Sequence, residues 1–242
     1  MGFELLVAAV AVVAGGVAAV TGFGIGSLLT PTLALAAGTK LAVAAISIPH
    51  LIGTAQRFWM LRRHVDRRVL WSFGITSAAG GLLGALVHAR TSGRALAVVF
   101  GALLIIAGLT ELSGWIEHVR WARRAAWVAG AVSGALGGMV GNQGGIRTAA
   151  MLGFDVPKEG FVATATAIAL FVDAARMPVY LATQGRDILR IWPLILIASG
   201  GVVVGTLLGR HALARLPERT FRRAVAVLLV VLGAHMALGS GR

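Results

Sequence analysis

Six uninterrupted apolar runs, at roughly 41–61, 69–88, 95–112, 159–182, 189–209 and 222–239, decide what this chain can fold into. Each is near the length of about 20 residues that a helix needs to cross a hydrocarbon core. A soluble fold could not hide so much apolar surface: 57% of the 242 residues are hydrophobic and 13% charged, with mean hydropathy +0.85, where an ordinary soluble domain carries about 25% charged residues. The expected class is therefore an all-α polytopic membrane protein, one transmembrane domain over 1–242. The N-terminal apolar stretch lacks a basic leader and continues into the body of the chain, so it reads as a retained span.

Two further apolar regions, 3–38 and 124–154, are too long for one plain helix, and clustered glycine interrupts each. The interruptions are Gly22-Phe23-Gly24-Ile25-Gly26, preceded by Thr21, and Gly141-Asn142-Gln143-Gly144-Gly145. Each glycine costs roughly 1 kcal/mol against alanine inside a helix, so both tracts should unwind. The stretches that follow, 27–37 and 146–154, would reach only about 16 and 14 Å as helix, which suits half-helices.

Sliding the chain by 119 residues superposes Gly22 on Gly141, Gly26 on Gly145, Val43 on Val162, Leu51 on Leu170, Ala55 on Ala174 and Arg57 on Arg176. Apolar matches are common in such a composition, so the glycine tracts and the arginine within an apolar helix carry the inference. The chain reads as two homologous halves, 1–119 and 120–242.

Two connections are strongly basic: one holds Arg62, Arg63, Arg67 and Arg68, the other Arg210, Arg215, Arg219, Arg222 and Arg223. Both are expected on the cytoplasmic side. Plain crossings would separate them by an odd number of spans, so a broken region must enter and leave by one face, as a re-entrant hairpin buried in protein or lining water. The expected architecture is an inverted repeat, each half a glycine-broken hairpin followed by three spans; eight plain transmembrane helices in a parallel repeat stay open.

The formal charge of +13 is spread over these short tracts and forms no single basic face, which points to anionic lipid headgroups and not to nucleic acid. The absence of cysteine excludes disulfides and thiol chemistry. The six tryptophans, Trp59, Trp71, Trp115, Trp121, Trp127 and Trp192, fall near span ends as an interfacial belt.

With the repeat, the glycine tracts and the arginine-bearing helices in view, the sequence resembles the sulfite exporter TauE/SafE family, also called the four-toluene-sulfonate uptake permease family. The resemblance covers essentially the whole chain. It is plainest in Ser133-Gly134, in Gly141-Asn142-Gln143-Gly144-Gly145-Ile146-Arg147 and in Phe161-Val162-Ala163-Thr164-Ala165-Thr166-Ala167; Gly22-Phe23-Gly24-Ile25-Gly26 with Pro31 matches more loosely. Asn142 and Gln143 depart from the family's usual Gly-Ile-Gly-Gly-Gly tract. The resemblance implies a multi-pass permease of the bacterial inner membrane, handling sulfite, sulfonates or related anions.

The residues themselves suit such a ligand. An oxyanion leaving water needs its hydration replaced by donors, and unwound glycine exposes backbone amides that an anion can approach without an intervening Cβ. The expected substrate site is formed by Gly22, Phe23, Gly24 and Gly26 facing Gly141, Asn142, Gln143, Gly144 and Gly145. Close helix packing is the competing explanation for the glycines.

Arg57, Arg147 and Arg176 are candidate anion ligands, since arginine within a span is costly and its planar fork fits oxyanions. Arg57 could instead snorkel to the interface, and Arg176 could pair with Asp173 one turn earlier. Thr166, with Thr164 and Thr54, is a lesser candidate, because hydroxyls inside spans usually bond back to the preceding turn. Asp173 is expected to pair with Arg176, with a coupling proton as the alternative; His50 and His235 could each shuttle protons, but a lone membrane histidine more often hydrogen-bonds between helices. The remaining histidines, His88 among them, flank spans beside arginines and read as interfacial.

No cofactor or metal is implied. His-Glu-x-x-His, Gly-x-Ser-x-Gly and a P-loop are all missing, and Ser27 with His50 lacks a third triad member, so an enzyme is not expected. The expected partners are a small anionic substrate and membrane lipid, with a homodimer possible. A non-transporting membrane assembly protein, and a permease for a non-sulfur organic anion, stay open.

Overall fold

A computed structural model describes residues 2–114, 125–141, 144, 147, 151, 154, 156, 158–212 and 218–239. Among them are eight principal helices and no strands: α1 (Gly2–Thr21), α2 (Ile25–Leu61), α3 (Ile75–Arg90), α4 (Gly93–Ser113), α5 (Ala125–Val140), α6 (Lys158–Arg190), α7 (Trp192–Ala212) and α8 (Glu218–Gly239). A 3-10 turn at Arg62–His64, a helical turn at Arg67–Val69 and a π-helical turn at Leu70–Gly74 lead into α3. Asp66 starts that stretch, its carboxylate accepting from the Arg68 and Val69 amides at 2.8 and 3.1 Å, which satisfies donors a helix start leaves free.

Helix α2 is two helices in one: Gly38, at φ 74 and ψ 156, interrupts it. Residues 25–37 therefore form a half-helix of about 20 Å, as expected for the segment after the first glycine tract. Most of the second expected half-helix, 146–154, lies outside the described residues.

Among the described residues six segments are long and apolar enough to cross a membrane: Gly2–Thr21, Ile25–His64, Arg67–Arg90, Gly93–Ser113, Gly160–Arg190 and Trp192–Gly209. The set differs from the expected one at both ends. Gly2–Thr21, expected only as one arm of a broken hairpin, is itself long enough to cross, because Gly15 and Gly16 stay helical where α1 packs closely on α7. Arg223–Gly239 is a shorter apolar helix. Outward-facing residues such as Leu5, Leu83, Ile106, Leu196, Leu208 and Val231 are exposed, the surface a bilayer would cover.

Backbone contact through small residues sets the packing. A Cβ on Gly134 would lie 1.9 Å from the Ser77 carbonyl oxygen, and one on Gly205 would lie 2.0 Å from that of Val12; only glycine permits such approach. These contacts also fix direction. Gly201, Gly205 and Gly209 on α7 meet Ala11, Val12 and Gly16 on α1, so the two helices run parallel. Ser77, Gly80 and Gly84 on α3 meet Gly134, Ala131 and Ala135 on α5, again parallel. By contrast Gly101 meets Gly233 while Gly108 meets Ala226, so α4 and α8 run antiparallel. Ser47 meets Met177 and His50 meets Asp173, so α2 and α6 are antiparallel too.

Direction then places the chain ends. The Asp66 amide donates to Thr164 Oγ1 at 2.8 Å, putting the α2–α3 connection at the start of α6. Lys40 Nζ donates to the Ala89 carbonyl at 2.8 Å on the other face. Helix α1, parallel to α7, starts on the Lys40 face, and the chain is back there at Gly38. Helix α5 starts on the Asp66 face with α3, and the chain is back there when α6 begins. Each broken segment thus leaves by the face it entered. The arginine-rich α2–α3 connection and the C-terminal end of α7 share one face.

A candidate oxyanion site between two helix breaks

The first break occupies Gly22, Phe23 and Gly24, with Gly22 at φ 79 and Gly24 at φ 125; side chains rarely adopt these values, which is why glycine stands there. Ile25 and Gly26 are already helical and begin α2, whose N-terminus no side chain caps. The second break starts at Gly141, φ 76, and Gly144 is helical again. Asn142, Gln143 and Gly145 lie outside the described residues.

The two breaks meet. A Cβ on Gly26 would stand 2.5 Å from the Gly141 carbonyl oxygen, and one on Gly144 would stand 2.4 Å from Phe23 Cβ. The surroundings are reciprocal under the 119-residue offset: Gly22 faces Val162 at 3.8 Å, and its match Gly141 faces Val43, the match of Val162, at 3.6 Å.

A helix that stops inside a membrane leaves its last carbonyls without partners, and the breaks satisfy them differently. At the end of α1 the Thr21 hydroxyl reaches the Val17 and Phe23 carbonyls at 3.0 and 2.8 Å. The matched residue in α5 is Val140, which has no donor to offer. There the work falls to other helices: Arg176 Nη1 donates to the Gly137 carbonyl at 2.6 Å, the Tyr180 hydroxyl donates to that of Gly138, and His88 Nδ1 bonds that of Met139 at 2.8 Å. His88 is therefore fully buried and not interfacial as expected. Helix α3 carries it beneath the end of α5, and Gln184 Nε2 bonds its second nitrogen at 3.0 Å.

Arg176 is fully engaged. Its Nε and Nη2 lie 3.0 and 2.7 Å from Asp173 Oδ1. Asp173 Oδ2 accepts from His50 Nδ1 at 2.8 Å across the α2–α6 interface, so both carboxylate oxygens are occupied. Thr54 Oγ1 lies 3.4 Å from the same His50 nitrogen and accepts from Arg57 Nη2 at 3.2 Å.

Arg57, which the 119-residue offset pairs with Arg176, does not snorkel: it is 3% exposed. The same offset pairs Thr54 with Asp173, and Thr54 brings no charge. Among the described residues, Arg57 Nε and Nη1 have no hydrogen-bond partner, and neither do Nε and Nη1 of Arg147, also 3% exposed. Arg57 feels the charges of Arg147 and Asp173, and Arg147 those of Asp173 and Arg176. Gly141 joins this group to the breaks, its Cβ position 3.7 Å from Arg176 Nη1.

Of the remaining expected site residues, Thr166 is buried but bonds the Val162 carbonyl at 2.8 Å within its own helix, and Thr164 accepts from Asp66. Sequence reasoning missed Tyr180 and His88 as helix-end partners. The chain's single tyrosine, one turn beyond Arg176 in an apolar helix, was the available signal.

Buried cations beside a helix break inside a bundle of apolar spans define a multi-pass membrane protein with a polar interior. A family model described as "Sulfite exporter TauE/SafE" matches residues 7–236. The chain belongs to that family and is a membrane transporter. No curated protein and no solved structure matches it.

Proposed function

We propose that this transporter is a permease of the bacterial inner membrane for a small sulfur-containing oxyanion such as sulfite or a sulfonate, bound where the two helix breaks meet. The observation that carries the reading is the pair of guanidinium groups, Arg57 and Arg147, each buried with two nitrogens that find no partner among the described residues. A buried polar group without a partner is expensive, and a buried charge more so. An oxyanion accepts from such donors and supplies the missing charge, and arginine's fork matches its geometry. The uncapped N-terminus of α2 adds the positive end of a helix dipole nearby.

The division of labour follows. Arg57 and Arg147 contact the anion; Arg176, spent on Asp173 and the Gly137 carbonyl, holds the end of α5 in place. His50 and Thr54 link that scaffold to Arg57. The hairpins open to opposite faces, and the antiparallel pairing of the matched helices α2 with α6 and α4 with α8 supports an inverted repeat over 1–119 and 120–242. Rocking of one half against the other would then expose a fixed site to each side in turn.

A ligand screen on the detergent-purified protein tests this, reading thermal stabilisation by sulfite, thiosulfate, sulfoacetate and taurine. A ligand at about 100 times its Kd should stabilise by about 2.7 kcal/mol. No shift with any sulfur anion counts against the reading.

A further inference from the structure

The same arginines set how much negative charge the site takes, an inference that rests on the binding reading above. Among the described residues three cationic side chains are buried together, Arg57, Arg147 and Arg176, and Asp173 is the one buried carboxylate. Its two oxygens are held by Arg176 and His50. The cluster therefore has two cations in excess if His50 is neutral, and three if it is protonated. Among the described residues Arg57 bonds the uncharged Thr54 hydroxyl alone, where Arg176, its match under the 119-residue offset, meets a carboxylate.

A monoanion would leave at least one buried guanidinium without a counter-charge, a state that costs far more in an apolar interior than at a surface. With His50 neutral, two charges close that gap, and the four nitrogens of Arg57 and Arg147 that lack a partner among the described residues offer donors for both. We propose that the site selects a dianionic sulfur oxyanion over a monoanionic sulfonate of the same size, with Arg57 and Arg147 each balancing one charge.

Thiosulfate and methanesulfonate are the probes that separate charge from shape: both present an SO3 group, and they differ in carrying a terminal anionic sulfur or a methyl. Neither titrates near neutral pH. Calorimetric titration of the full-length protein in detergent should show thiosulfate binding at least about tenfold tighter, the effect of one more desolvated charge pair. Arg57→Gln should weaken thiosulfate by about tenfold and methanesulfonate by less, so the preference collapses, whereas Arg57→Lys, which keeps the charge, retains it. Equal affinities in the unaltered protein, or tighter methanesulfonate binding, overturn the dianion preference and leave anion binding standing. Failure of both probes to bind overturns the binding reading and this inference with it. Should Arg57→Gln fail to fold, the comparison in the unaltered protein still decides.

Discussion

Gly26 lies so close to Gly141 that a methyl group on the first would stand 2.5 Å from the carbonyl oxygen of the second. The obstacle is backbone and cannot swing aside, so Gly26→Ala must push the two breaks apart. Overpacking of this kind costs typically about 1–3 kcal/mol. Thermal unfolding in detergent should register that loss, with transport falling further than stability does. Gly185, inside α6 with open space around its Cβ position, is the control: Gly185→Ala should be neutral or stabilising by up to about 1 kcal/mol.

Arg176 and Arg57 should fail in different ways. Arg176→Gln removes the cation that compensates buried Asp173, and breaking one side of a buried pair costs about 3–5 kcal/mol. Adding Asp173→Asn should recover part of that loss. Arg57→Gln removes an uncompensated charge, so the fold should keep or gain stability while the stabilising response to anions disappears. Melting curves with and without ligand distinguish the two patterns; similar losses of stability from both single substitutions would erase the proposed division of labour.

The direction of the helices predicts which residues share a side. Asp187 and Arg63 are both exposed, near opposite ends of α6 in the packing described above. In right-side-out and inverted vesicles, cysteine at 63 should react from the cytoplasmic side, where its arginine-rich neighbours belong. Cysteine at 187 should react only from the other. Labelling of both from one side would mean that the second broken segment, which lies between them, does not return to the face it entered.

Much of this was legible in the chain because the signals are energetic and local. Hydropathy marks the spans, and clustered glycine is costly enough in a helix that breaks at Gly22 and Gly141 follow. The reciprocal contacts of Gly22 with Val162 and of Gly141 with Val43 link residues that the 119-residue offset had already paired. The differing duties of Arg57 and Arg176 were not legible, since that offset makes them equivalents. What separates them is tertiary: Thr21 closes the end of α1, while Val140 leaves the end of α5 to Arg176, Tyr180 and His88. His88 misled for a related reason. Its neighbour Arg90 suggests a helix end at an interface, but whether a residue one turn from that end is buried depends on the helix packed beside it.

The most direct test of the account is anion flux into liposomes holding the purified protein, comparing the unaltered chain with Arg57→Gln and Arg147→Gln. Radiolabelled sulfite should enter with the unaltered protein, and either substitution should cut the rate by about tenfold or more, the scale expected for losing a charge-assisted hydrogen bond. Undiminished flux through both variants, each correctly folded, would contradict the claim that these two unpaired guanidinium groups hold the transported anion.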